Sequence, residues 1–342
     1  MPNTETTRRK RHRRAHRRPR VGVVLGAGGV LGGAWMVGAL AALNRVTGWD
    51  PREADHLVGT SAGALFAALL AAGVPPARLL PSGQRARQQP NRWILTELTL
   101  ESSYRSEHWL PHPPLGSWRL ALAGLLQTPS PWSLLQAMSG IAPAGRVSSD
   151  PILRTVRQAA SYGWSAHPRC RIVATDYVSG KRVVFGQTGA PEADLAEAVA
   201  ASCAIPGFFE PVLIHGRRYV DGGLHSLCNL DLLEDSDVDV VICFSAMTSW
   251  PRLGGSTPLR RAIHSLLSKA GEQLRRQADE LIHQGVDVVV IEPTAKDHAA
   301  MGVNLMDARR WESVLEAAQT SVAAQLRRRN VKARLGAIRS AA

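Results

Sequence analysis

Three short stretches combine residue types that can carry acyl-transfer chemistry. Gly59-Thr60-Ser61-Ala62-Gly63 sets a serine between two glycines. On a sharp strand-to-helix turn such a serine is lifted clear of the sheet, because small neighbours let the backbone bend tightly. A helix N-terminus behind it favours negative charge developing at the hydroxyl. Capping the helix is the bland role for Ser61, but a cap does not need two flanking glycines, so the nucleophile reading is preferred. Gly26-Ala27-Gly28-Gly29 is the second stretch. Successive N–H groups in a glycine turn can converge on one anionic oxygen, which makes Gly28 and Gly29 candidate oxyanion donors. The third is Tyr219-Val220-Asp221-Gly222-Gly223, an acid between a short apolar run and two glycines. In water an aspartate, with a pKa of about 3.9, is a poor base for a hydroxyl. Partial burial raises that pKa and makes the carboxylate a stronger base. The same Asp-Gly-Gly is also an ordinary turn signal.

Other bases and another ligand compete with this reading. His12 and His16 lie in a basic N-terminal run, and His108 and His112 lie in a Trp- and Pro-rich region. His56 sits on the approach to Ser61 and is expected to point into the core. His215, His225, His283 and His298 stay open as members of a serine triad. Gly26, Gly28 and Gly32 loosely match a dinucleotide-binding pattern. The third glycine position is occupied by Leu31, and the acid about 20 residues on, Asp50, precedes Pro51 in a turn. The nucleotide reading is therefore set aside.

The elements that must position these residues alternate between strand and helix. Val21–Leu25 reads as a buried strand, followed by the glycine turn and a helix from Leu31 to Arg45. A second strand covers Asp55–Val58, and a helix covers Ala62–Ala72, stopping at Gly73 before Pro75-Pro76. Arg171–Tyr177 and Arg182–Phe185 read as a hairpin across Val178-Ser179-Gly180-Lys181. Val238–Phe244 and Val286–Ile291 are continuous apolar runs of the kind found in parallel strands buried on both faces. Helices are expected over Leu259–Gln284 and Met306–Arg329. Alternation of this kind predicts an α/β layered fold.

The chain has 342 residues, 45% of them apolar and 20% charged, which excludes a disordered tail or a disulfide-stapled peptide. The net charge of +13 suggests a nucleic-acid binder at first sight. Residues 1–20, however, hold nine Arg or Lys against Glu5 and so account for +8 of it. A like-charge run without apolar periodicity is expected to stay disordered. Behind it, Val21–Leu43 is free of charge and resembles an export signal or membrane anchor, with Ala39-Leu40-Ala41 fitting a cleavage pattern. Seven of those residues are Gly, and each costs about 0.8–1 kcal/mol in a helix relative to Ala, so strand–turn–helix is the preferred reading. Cys170, Cys203, Cys228 and Cys243 lack metal spacing and read as buried, reduced thiols, in keeping with a cytosolic setting.

Residues 81–145 differ from the rest. They are rich in Pro and Ser and contain Trp93, Trp109, Trp118 and Trp132. Leu115–Leu126 and Trp132–Ile141 look like short apolar helices with few charges, forming either a packed cap or a lid or interface-binding surface.

Taken together, the motifs resemble those of the patatin-like phospholipase family. That family has a glycine-rich oxyanion loop, then G-x-S-x-G, then Asp-Gly-Gly/Ala, in the order found here. The stretch Ala201-Ser202-Cys203-Ala204-Ile205-Pro206-Gly207-Phe208-Phe209-Glu210-Pro211-Val212 also looks like the family's segment before its catalytic Asp. The resemblance implies a three-layer α/β/α fold with a mainly parallel central sheet and a helical insertion at 81–145. It implies a domain over 21–335, between the basic tail 1–20 and a C-terminal tail at 336–342. It also implies hydrolysis of lipid acyl esters by a Ser61–Asp221 dyad without a catalytic His, with Gly28 and Gly29 holding the oxyanion. Gly26, Gly59, Gly63, Gly222 and Gly223 would be the motif glycines. A basic residue and a His common after the family's glycines are replaced by Leu31 and Trp35. No cofactor or metal is expected. The expected partners are a lipid ester and, through residues 8–20, an anionic membrane, with a cytoplasmic location peripheral to the inner membrane surface. Nucleic acid is not expected. Two other classes stay in play: an α/β-hydrolase-type esterase with a Ser-Asp-His triad, and a non-catalytic protein that binds acidic membrane or nucleic acid through its tail.

Overall fold

A computed structural model describes residues 18–80, 116–126, 130–143, 145–160, 163–248 and 258–339. Most of the basic tail, Trp93, Trp109 and the four histidines of the tail and of the Trp/Pro-rich region lie outside the described residues. The eight strands among the described residues are β1 (Val21–Leu25), β2 (His56–Thr60), β3 (Cys170–Asp176), β4 (Arg182–Phe185), β5 (Val212–Ile214), β6 (Arg217–Asp221), β7 (Val240–Phe244) and β8 (Asp287–Ile291). They form one sheet in the order β5-β6-β3-β2-β1-β7-β8, with β4 pairing off the path with β3. The block from β3 through β2, β1 and β7 to β8 is parallel. β4, β6 and β5 are antiparallel additions at the β3 end.

Because side chains alternate along a strand, each central strand supplies two cores. Val23, Leu25, Leu57, Ile172, Ile242 and Phe244 point into the larger one. That core is covered by α1 (Gly29–Thr47), α2 (Ala62–Ala71), α6 (Asp150–Ala159), α7 (Leu195–Cys203), α9 (Ala295–Met301) and α10 (Trp311–Leu326). Val24, Val58, Val173, Val241 and Cys243 point to the other face, covered by α8 (Pro258–His283). The result is a three-layer α/β/α arrangement.

The charge-free stretch behind the tail is thus interior. β1 is the centre of the parallel block, and α1 packs on α10. α1 is long and apolar enough to span a membrane by length and composition, but it is a buried core helix here. The strand is tied at its start, where the Val21 N–H donates to Asp55 and the Arg20 N–H to Asp239, each at 2.8 Å. All four cysteines are free and buried.

Within the insertion, the described residues form α4 (Trp118–Leu126) and α5 (Pro131–Ile141). Ser130 caps α5 with a reciprocal capping box, and Pro131 occupies the first turn, where no N–H is needed. Three expectations need correction. The last long helix starts at Trp311 rather than Met306 and ends at Leu326, leaving Met306 in the preceding loop. Two short helices follow it, α11 (Arg329–Arg334) and α12 (Gly336–Arg339), and Ile338 on the latter is buried. Residues 336–339 are therefore part of the packed body, because Ile338 joins the larger core instead of trailing into solvent.

Candidate active site

Ser61 stands between the end of β2 and the first residue of α2 with φ 55° and ψ −126°. It is one of few non-glycine residues here with positive φ. Such a backbone is strained for an L-residue and persists where the surroundings over-determine it. The constraints are specific. The Ser61 N–H donates to the Ser202 hydroxyl at 2.9 Å, and that hydroxyl donates to the Val173 carbonyl at 2.5 Å. The Cys203 thiol donates to the Ser61 carbonyl at 3.2 Å. Gly63 must be glycine, since a Cβ there would overlap the Leu25 carbonyl at the end of β1. Before the turn, the Thr60 hydroxyl accepts from the Asn229 side-chain amide at 3.0 Å.

Asp221 ends β6, and its backbone is pinned from two sides. Its N–H donates to Ala204 at 2.9 Å, and its carbonyl accepts from the Thr175 hydroxyl at 3.0 Å. Its carboxylate accepts the Gly223 N–H at 2.6 Å, and the Ser61 hydroxyl is near enough to pull its pKa down. Burial dominates its titration and pushes the pKa up to about 6, while the Ser61 and Gly223 donors pull the other way. A buried carboxylate ionising near neutrality beside a strained serine is the arrangement expected of a base and its nucleophile.

The glycine loop closes the third side. The Gly26 N–H is taken by Phe244 at 3.0 Å and the Ala27 N–H by Leu227 at 2.7 Å. Among the described residues, the N–H groups of Gly28 and Gly29, at the start of α1, have no protein acceptor. Gly29 adopts φ +60°, a left-handed conformation that favours glycine. Helix α1 thus begins beside the serine turn that opens α2, so two positive helix ends converge. Leu31 and Trp35, the departures from the family pattern, are both wholly buried, and the Leu31 N–H donates to Leu305 at 2.9 Å.

Gly29 and Ser61 line one narrow apolar cavity of about 60 Å³, walled by Val30, Leu65, Phe66, Phe209, Met306 and Trp311. Met306, Trp311 and Ser202 are not singled out by sequence reasoning. Ser202 lies in the segment that resembles the family's, but nothing in the order of residues shows that its hydroxyl reaches the Ser61 amide.

Among the described residues, no histidine lines this cavity. His56 is buried at the far end of β2, bonded to Asp237 at 3.1 Å, and burial with Arg171 and Arg169 nearby lowers its pKa to about 4. His225 faces Arg182 and Asp231, and its pKa is lowered chiefly by burial. His215 is exposed on the β5–β6 turn and His283 is exposed at the end of α8, while His298 is buried on α9. Asp50 caps a short turn and bonds Arg52, remote from any ribose-binding strand end. Among the described residues, no group of three or more His, Cys, Asp or Glu is arranged to hold a metal ion.

A sequence model of the patatin-like phospholipases matches residues 23–233, more than half of the chain. The chain belongs to the patatin-like phospholipase family. It is thereby placed among lipid acyl hydrolases. Two solved structures show weaker likeness. VipD from Legionella pneumophila shares 17% identity over 88% of this chain and 67% of that one, with a TM-score of 0.37. The type III effector protein ExoU shares 18% over 92% of this chain, also with a TM-score of 0.37. The patatin-like chain here covers little more than half, 54%, of ExoU. Family membership therefore rests on the sequence match and its motifs.

Proposed function

We propose that this protein is a serine ester hydrolase acting on fatty-acyl esters of phospholipids or related lipids. The observation that carries the proposal is strained Ser61 set close to buried Asp221 at an apolar cavity, beside the backbone N–H groups of Gly28 and Gly29, which have no protein acceptor among the described residues. Ser61 Oγ attacks the ester carbonyl carbon while Asp221 accepts the hydroxyl proton. The carbonyl oxygen becomes an oxyanion, held by the Gly28 and Gly29 N–H groups in the field of the α1 N-terminus. Collapse breaks the C–O bond to the leaving alcohol, which takes the proton from Asp221 and leaves an acyl-serine. Water then adds to the acyl carbon as Asp221 removes its proton. The fatty acid leaves, and the proton returns to Ser61 Oγ. The apolar walls around Ser61 suit the part of an acyl chain nearest the ester.

Labelling with a fluorophosphonate probe tests the nucleophile. The wild type should label and the Ser61→Ala variant should not, and a lipid panel should show acyl-ester cleavage by the former only. Labelling retained in the variant would remove Ser61 from the mechanism.

A further inference from the structure

Residues 116–149 contain no Asp or Glu, and their only charged residues are Arg119 and Arg146. Within this stretch α4 and α5 pack as an antiparallel hairpin. A Cβ on Gly124 would come within 2.6 Å of the Ala137 nitrogen, so the two backbones nearly touch. The inner side is anchored on the loop that holds Asp221. Leu120 packs with Tyr177, Val220 and Leu224, the Ser117 hydroxyl donates to Tyr177 at 2.7 Å, and the Gln136 amide donates to Leu224 at 3.3 Å.

The outer side is apolar and uncovered among the described residues. Trp118, Leu122 and Leu125 on α4, and Leu134, Met138 and Ile141 on α5, repeat at i, i+4 and i+7. Each is between 45% and 68% exposed. Single exposed leucines are ordinary on soluble proteins. Six in register on two packed helices form a patch of the kind that meets a partner or a membrane.

Two features indicate what covers it. The first is charge. The patch has no acid, Arg119 lies over the exposed Trp118 ring at 5.4 Å, and Lys181, just before β4, and Arg218, on β6 over the Tyr177 ring, are exposed. A tryptophan with basic neighbours suits the headgroup level of an anionic leaflet. The second is continuity with the candidate active site. Beyond Ile141 the chain runs along Phe208 and Phe209, with the Val147 N–H donating to the Phe208 carbonyl at 3.1 Å. Phe208 is exposed, while its neighbour Phe209 lines the cavity that contains Ser61. The segment after Ile141 therefore leads from the hairpin to the wall of the cavity that contains Ser61.

We propose that the outer face of the α4–α5 hairpin docks on an anionic phospholipid bilayer and presents the cavity to acyl chains at that surface. This rests on the lipid-hydrolase reading above for its purpose, though not for its test. The face inserts its six apolar side chains at the headgroup–acyl boundary, while the basic neighbours stay at the phosphates.

The test uses the full chain carrying Ser61→Ala, so that lipid is not consumed, with vesicles of phosphatidylglycerol and phosphatidylcholine. Co-sedimentation in roughly 1 M NaCl, where the Debye length is about 3 Å, suppresses attraction by the basic tail. Residual binding should fall at least about tenfold in a Leu122→Ser/Leu125→Ser/Met138→Ser variant. Vesicles should shift tryptophan emission to the blue, and Trp118→Phe should remove that shift. In the Ser61-bearing chain, the triple variant should hydrolyse a water-soluble short-chain ester as the wild type does. Vesicle binding unchanged in the triple variant, or no binding by its parent at high salt, would overturn the proposal. So would a solution dimer that the triple variant dissolves, since a second copy would then own the face. Binding lost as expected from a chain whose Ser61-bearing form cleaves no ester would uphold the docking surface and refute the hydrolase reading alone.

Discussion

Replacing Asp221 with Asn should make the protein inactive and, above neutrality, more stable. The carboxylate is 6% exposed, and its pKa rises from an ordinary 3.8 to about 6 because burial penalises the charged form. Between those values the folded state holds a proton that the unfolded chain has released. Stability therefore falls as pH rises through this window, and the loss is complete above about pH 7. A difference of about two pKa units corresponds to about 3 kcal/mol. An Asn amide keeps the oxygen that accepts from Gly223 at 2.6 Å and carries no charge. Urea denaturation of wild type and Asp221→Asn should give similar stability below pH 4. Above pH 7 the variant should lead by about 3 kcal/mol. The wild-type kcat/KM on a soluble ester should rise with pH through a midpoint of about 6, since the base must be unprotonated. A stability difference that does not vary with pH, or an Asn variant weaker at pH 8, would refute the argument from burial. An activity midpoint close to the ordinary carboxylate value would refute the role of Asp221 as base.

Three more outcomes follow from the same geometry. Ser61→Gly should abolish hydrolysis yet raise the urea midpoint, because glycine relieves a φ of 55° that costs a non-glycine residue on the order of 1 kcal/mol or more. A lowered midpoint would show that the turn is unstrained. Ser202→Ala should cost about 1–3 kcal/mol by stranding the buried Ser61 N–H and Val173 carbonyl. It should also lower kcat with little change in KM, whereas loss confined to stability would reduce Ser202 to a packing residue. Separate Ala replacements at His215, His225, His283 and His298 should each leave turnover within about tenfold of wild type. A triad histidine would instead show a fall of about 10⁴-fold, which would exchange the dyad for the triad mechanism.

The strands that carry the motifs are legible in the sequence because their signals are local. Val21–Leu25 and Arg182–Phe185 are apolar or β-branched runs bounded by turn residues, and they form where that pattern predicts. The same holds for the helix after Ser61, whose glycine-flanked turn marks its start. Pairing is less legible. β3 is parallel to β2 on one side and antiparallel to β6 and β4 on the other. Its Ile172 and Ala174 face one core and Val173 the other, and that alternation suits a parallel or an antiparallel neighbour equally. α6 is easily missed although Ile152 and Val156 recur at helical spacing, because Pro151 near its start resembles a break and is instead a first-turn proline. Met306 and Trp311 are invisible as cavity residues because they reach Gly29 and Gly33 only through the packing of α10 on α1.

The geometry also explains how an aspartate can stand where many serine hydrolases need a histidine. A histidine titrates close to neutrality without help, whereas a carboxylate must be moved there by its surroundings. At Asp221 the shift comes from burial, and the Thr175 and Ala204 contacts fix its backbone. The donors that stabilise its ionised form are few, which keeps the shift from being cancelled. In the proposed mechanism, enclosure is what makes Asp221 a competent base. Any change that lets water reach it should lower its pKa and its basicity together. Docking of the hairpin on lipid, as proposed, would exclude water near the site and push the Asp221 pKa upward. The acid limb of activity should accordingly lie at higher pH on vesicles than on a soluble ester, and an equal or lower midpoint on vesicles would show that docking leaves the surroundings of Asp221 unchanged.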